Sequence, residues 1–316
     1  MLMKQIICLL SLLFFGTSNI FAGTTGAVLD LTANAYEKSL SYGGVAICDD
    51  IGGISYNPSV VANIDYIAGT FTYLNYIEDI NMLYGNFIYP RKKFNINGRF
   101  GIMYMPSIID YETGKELHYR ELFIGGGTGY RYNKNLSFGA NLNLYSVTIA
   151  ESSGISVFIN LGANYKTSLP LIGNHKVVAG VSILNLGPGI EFNQQRSSLP
   201  TSLNLGIKYI YNEDYRILFG MRKETEVEPL LWSMGGEILM FKFLSARISS
   251  YSDINNKLKF NMGIGIKIQY DKYNFIFDYT ALPLQEVEYS NLITLTFRFA
   301  TSMEKSKVKW ESVWEK

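Results

Sequence analysis

The chain has 316 residues, 17% of them charged and 14% aromatic, with 29 glycines and a net charge of +1. The charged share is below the quarter or so usual in soluble domains, and the near-neutral balance gives no case for nucleic acid or a strongly charged partner. No stretch after the first 22 residues approaches the roughly 18 continuous apolar residues of a spanning helix, so a membrane form would have to be a closed β-barrel.

Residues 1–22 read as a secretory signal. Lys4 supplies the positive start, Ile6 to Phe15 the apolar run, and Ala22 a small residue at the cut. Cys8 lies inside the apolar run, which argues against a lipoprotein cut. Cys48 is then the one cysteine left, so no internal disulfide can form, and ordinary packing is expected of it.

Residues 23–59 are rich in bends: Gly43-Gly44, the acidic pair Asp49-Asp50, Gly52-Gly53 and Asn57-Pro58. They do not alternate as strands do. Asp49 and Asp50 either pair with cations of the lumen or form a solvated turn.

Alternation takes over in residues 60–300. Phe260, Met262, Ile264, Ile266, Ile268 and Tyr270 oppose Asn261, Gly263, Gly265, Lys267 and Gln269, one apolar and one polar face of a single strand. Residues 203–209, 293–299 and 155–166 repeat the pattern, with Phe158 the exception on the polar side. Fourteen strands are expected near 61–77, 80–90, 94–106, 118–132, 135–149, 154–166, 175–187, 201–212, 214–223, 231–241, 243–251, 257–270, 273–281 and 290–300. They are longer than soluble strands, and aromatic residues mark many ends: Tyr130, Tyr132, Tyr145, Tyr165, Tyr209, Tyr211, Tyr270, Tyr273 and Tyr279. Such girdles belong to membrane barrels. Short and longer links alternate, with 167–174 too long for its place, and an even strand number puts both chain ends in the periplasm. The fold class is therefore all-β, a transmembrane antiparallel barrel of about 14 strands. A barrel that wide cannot fill itself with its own side chains, so the segment 23–59 is expected inside as a hatch. Residues 301–316 form a periplasmic tail in which Trp310 and Trp314 share a face at helical spacing, either a short interfacial helix or a frayed end.

Lys208, Arg222, Arg247, Lys267 and Arg298 fall on the polar parity with Glu237 and Asp278. A charge facing lipid costs about 2–4 kcal/mol at mid-bilayer, so these should face the lumen. They form either an ion-pair network anchoring the hatch or a surface for a carboxylate head group. His118 and His175 have no metal-ligand spacing to cysteines or acids. Gly125-Gly126-Gly127-Thr128-Gly129 lacks the Lys-Ser/Thr of a phosphate loop and is expected to make room for the plug backbone. No metal or cofactor is implied. No nucleophile–base–acid set can be argued, so an enzyme is not expected.

The run Tyr42-Gly43-Gly44-Val45-Ala46-Ile47-Cys48-Asp49-Asp50, followed by Ile54-Ser55-Tyr56-Asn57-Pro58-Ser59, resembles the hatch motif of the FadL-like outer-membrane transporter superfamily, closest to its PorV/PorQ or UPF0164 branch. The last strand, Leu292 to Phe299, resembles the family's closing strand. Two departures are Ser59, where the family usually has Ala, and the extension past Phe299, where such barrels commonly end. The resemblance implies an outer-membrane barrel, embedded in lipid, that passes hydrophobic small molecules such as long-chain fatty acids through a hatch-gated lumen with a side opening. The PorV branch implies an alternative, a secretion or surface-attachment component with periplasmic or secretion partners. A surface-exposed structural antigen is a third reading.

Overall fold

A computed structural model describes residues 26–31, 34–76, 80–91, 94–109, 114, 116–169, 175–192, 195–225, 227–283 and 289–299. The expected signal (1–22) and the tail with Trp310 and Trp314 lie outside the described residues.

Period-two patterning closes into a barrel. Its strands are β1 (Ile67–Asn75), β2 (Asn81–Tyr89), β3 (Phe94–Ile109), β4 (Glu116–Arg131), β5 (Leu136–Ile149), β6 (Ser152–Ser168), β7 (His175–Leu186), β10 (Ser202–Tyr211), β11 (Tyr215–Glu224), β12 (Leu231–Met240), β13 (Leu244–Ser252), β14 (Leu258–Tyr270), β15 (Tyr273–Pro283) and β16 (Tyr289–Phe299). The remaining two, β8 (Ile190–Phe192) and β9 (Gln195–Ser197), form a separate hairpin in the link between β7 and β10. All barrel neighbours are antiparallel, and β1 seals the wall against β16, Ile67 opposite Phe299 and Asn75 opposite Asn291. With no free edge, every barrel strand finds its ladder partners on both sides.

The burial pattern follows the parity. In β10, Leu205 and Ile207 face outward, while Asn204, Gly206 and Lys208 face in. Exposed Tyr89, Phe94, Tyr130, Tyr132, Tyr165, Tyr211, Tyr215, Tyr270 and Tyr273 collar the rim that carries the tight turns, the rim expected to face the periplasm. Tyr145 does not belong with them. It lies on the inward parity of β5 opposite Phe123 and is buried in the lumen.

Some boundaries differ from expectation. The first strand starts at Ile67, not 61, because Asn57 caps a 3-10 turn, Pro58–Asn63, that holds those residues in the inner segment. β3 runs on to Ile109 and β4 begins at Glu116, which shortens the link expected at 107–117.

Inside the barrel lie α1 (Ala27–Leu31), α2 (Ala35–Lys38) and three 3-10 turns, Ser41–Ala46, Ile51–Ile54 and Pro58–Asn63. Asn34 and Glu37 form a capping box on α2. The first turn packs on β7 and β10 to β13, the third on β3 to β6, the second on β1, and α2 on β14 to β16. The inner segment thus touches the wall around its circumference.

Candidate functional site

Short helices and turns pair only part of the inner segment's backbone, and its remaining buried groups need partners. Barrel side chains supply them. Asn95 donates to the carbonyls of Val61 (2.8 Å) and Ile64 (2.7 Å), Asn261 to that of Lys38 (2.8 Å), and Thr280 to that of Ala35 (2.6 Å). Ser233 accepts from the amide of Gly43 at 3.1 Å.

Close seating also needs bare wall. A Cβ on Gly139 would fall 2.2 Å from the Pro58 carbonyl oxygen, and one on Gly180 2.1 Å from that of Val45. In the glycine run of β4, Gly129 does the same beneath Ala62, but Gly125 and Gly127 make room for Asn143 and Asn141 of the wall, not for the plug.

The motif residues each have a task. The Asn57 amide donates to the carbonyls of Val45 (2.9 Å) and Ala163 (3.1 Å), and its oxygen accepts from the Ser59 amide and hydroxyl. Pro58 opens the third turn, where a missing N–H does no harm. Ser59 adds a bond that Ala lacks, accepting from Asn164 at 2.7 Å. Gly44 leaves space for the Tyr56 ring and Gly43 for Leu218. Cys48 is a free, buried thiol.

Ion pairs join plug and wall. Asp49 meets Lys208 at 2.6 Å, Asp50 meets Arg298, and Asp30 meets Arg222, which also holds Glu224 at 2.9 Å. Burial opposes the charge on Asp49, but Lys208 and Arg216 outweigh it and hold the carboxyl well below the usual range. Asp50 also caps the second turn through the Gly52 amide, 2.9 Å.

A second set runs along the wall. Arg216, Glu237 and Arg247 stand opposite one another on β11, β12 and β13, and Arg247 crosses bare Gly265 to reach Asp278 on β15 at 2.7 Å. Arg247 also lies over the Tyr36 ring, 4.5 Å to its centre. The half-buried Lys267 lines a cavity here of about 20 Å³, room for one water, with Tyr36, Asp50 and Glu237. Arg216 shares the parity of Arg222, so the alternation that marks one marks the other.

Glu37 is buried at the centre of the plug. Its carboxylate accepts from the amides of Asn34 (3.3 Å), Ser55 (3.2 Å) and Tyr56 (3.3 Å), and burial pushes its pKa up to about 8.

The outer half of the lumen is different in kind. Leu74, Met82, Tyr84, Met103, Phe123, Tyr145, Val147, Phe158, Leu282 and Leu292 face inward there and bury one another. Phe123 lies 6.1 Å from Tyr84 and 6.3 Å from Phe158, ring centre to ring centre. Val28 and Leu29 of α1, and Ile190 and Leu199 from the chain between β7 and β10, belong to the same cluster. A Cβ on Gly26, just before α1, would meet Pro200 at 3.1 Å, so α1 and this link sit together. The departure of Phe158 from strand alternation is the sequence mark of this cluster.

No family model matches the sequence, and no curated protein matches it. Solved structures do. The Ralstonia pickettii toluene transporter TbuX superposes with a TM-score of 0.55 at 9% identity over 84% of this chain and 98% of its own. The Pseudomonas putida toluene transporter TodX gives 0.54 at 10% identity, covering 85% and 98%. A Pseudomonas aeruginosa FadL homologue gives 0.52 at 11% identity, covering 90% and 100%. The chain has the fold of these FadL-type channels. None of the three is named as an enzyme or a secretion component, and the resemblance reaches the superfamily fold, not its PorV/PorQ or UPF0164 branch.

Proposed function

We infer that the chain is an outer-membrane channel for hydrophobic small molecules, exported by its first 22 residues, with residues 23–66 acting as a hatch in a lumen otherwise formed by residues 67–299. The observation that carries this is the apolar, aromatic cluster that lines the outer half of the lumen, beside a plug held by ions. A barrel filled only for stability has no need to segregate its contents in this way. The toluene transporters and the FadL homologue of like fold support the same reading.

The charged belt also suggests the route. Moving an apolar molecule past Asp49, Lys208, Glu237 and Arg247 would disturb buried ion pairs. The wall ladder is interrupted in two places beside the apolar cluster, between Met105 and Ile108 in the β3–β4 pairing and between Ile159 and Leu161 in the β6–β7 pairing. A bulged ladder has fewer bonds to part, so these two places are the candidates for a side exit.

The test is uptake of radiolabelled oleate and toluene by cells with and without the protein. Phe158→Asp sets a carboxylate among the rings and is expected to cut uptake by at least about tenfold, with the barrel still heat-modifiable on gels. Equal uptake with and without the protein across an apolar panel refutes the reading.

A further inference from the structure

Bare positions of the wall are covered in two ways. Inward Gly139 and Gly180 lie against the plug backbone, and outward Gly85 on β2 lies beneath the ring of Phe100, the residue opposite it on β3. Gly69 of β1 is covered by neither. It shares the outward parity of Phe71 and Tyr73, and within 4 Å a Cβ there would meet only the Asn86 carbonyl oxygen, at 3.8 Å.

Phenylalanines stand on both sides of this gap. Gly69 lies opposite Phe87 on β2 and Phe297 on β16, and Phe297 lies opposite Phe275 on β15. All three rings stand exposed on the outside of the wall. Two residues nearer the tight-turn rim, Ile67, Phe299 and Tyr273 continue the row. Together they line an apolar groove of about 300 Å³ on the outer face of the seam between the first and last strands, a volume at the small end of ligand pockets.

The rim end of the groove is basic. Lys272, half-buried in the turn between β14 and β15, holds its ammonium 5.5 Å from the centre of the Tyr273 ring and 5.2 Å from that of Phe299. It meets no carboxylate within 4.0 Å among the described residues, and Asp271 beside it is exposed. Exposed Arg91 adds a second cation just past the end of β2. A lysine stem laid along rings at a membrane surface keeps its charge among the head groups, where cations draw anionic lipid.

A gap with no atoms on one side forfeits dispersion contacts, so an occupant is favoured. A second copy seated symmetrically would set groove against groove and leave the space empty. An acyl chain fits the groove's shape, and a phosphate fits its charged end.

We propose that this groove binds one anionic phospholipid, an acyl chain lying over Gly69 between Phe87 and Phe297 and the phosphate at Lys272. The site is on the outside of the wall, apart from the lumen. It rests on the reading of the chain as a membrane barrel.

The test is native mass spectrometry of the purified full chain, released from a mild non-ionic detergent after incubation with equal amounts of dioleoyl phosphatidylglycerol and dioleoyl phosphatidylcholine. One phosphatidylglycerol is expected to stay bound, favoured over the zwitterionic lipid roughly fivefold, the effect of one cation at a membrane surface. Lys272→Gln should bring that ratio to one. Gly69→Leu should fill the groove and strip either lipid, whereas Gly98→Leu, equally open but outside the groove, should bind as the wild type does. Heat-modifiability on gels reports the fold of each variant, and the wild-type ratio stands even if a variant does not fold. No preference between the two lipids in the wild type, or equal retention by a folded Gly69→Leu, overturns the site and leaves the channel reading intact. A dimer that carries no lipid and is lost in Gly69→Leu makes this face an interface between copies, and the lipid site falls. A full chain that stays in water without detergent overturns the membrane reading on which the site stands.

Discussion

The ion pair between Asp49 and Lys208 should hold the plug shut, and its removal can be given a magnitude. The Lys208 side chain has no solvent exposure, and Asp49 accepts from it at 2.6 Å. Asp49→Asn leaves that ammonium buried without its carboxylate. Stranding one partner of a buried pair costs about 3–5 kcal/mol. The Asp49 side chain keeps 29% exposure, and water there softens the loss to about 2–3 kcal/mol. Plug opening should then rise roughly 30–150-fold. Hydrogen exchange followed by mass spectrometry reads this in the amides of Ser41–Ala46 and Ile51–Ile54, with the strand amides as internal reference. Planar-bilayer recordings should show new ion conductance. Adding Lys208→Met removes the orphaned charge and should return most of the protection, since an apolar pair of similar volume is often as stable as the ions it replaces. If Asp49→Asn exchanges like the wild type, or if the double variant is no better than the single, the pair does not latch the plug.

Gly139→Val places carbon against the Pro58 carbonyl and should unseat the third turn by about 1–3 kcal/mol of overpacking, with faster exchange in Pro58–Asn63 but an intact barrel; Gly98→Ala, where a Cβ meets nothing within 4 Å, is the silent control. The buried Glu37 gives the plug a pH dependence. Its folded pKa of about 8 is above the ordinary 4.5, so its contribution is full below 4.5 and is lost as pH rises through 8. Exchange in the plug, corrected for the intrinsic rate, should therefore quicken across that window, and Glu37→Gln should flatten the profile. A wild-type profile already flat would show that Glu37 titrates normally.

Much of this protein was legible in its sequence because a strand has a period of two. Parity alone separated outward Leu205 and Ile207 from inward Asn204 and Lys208, and fourteen such segments implied a closed wall. The bends at Gly43-Gly44 and Asn57-Pro58 marked a segment that could not be wall. Parity says which face a side chain takes and nothing of what it meets there. Lys208 and Asp49 are 159 residues apart in sequence, and only closure of the barrel around the plug brings them together. The same limit explains Tyr145, expected in the girdle from its place near a strand end but set beside Phe123 in the lumen by the register. Local chemistry fixed the faces of the wall. Partners across the lumen depend on shear, register and the seating of the plug, which are global quantities and exist only in the folded chain.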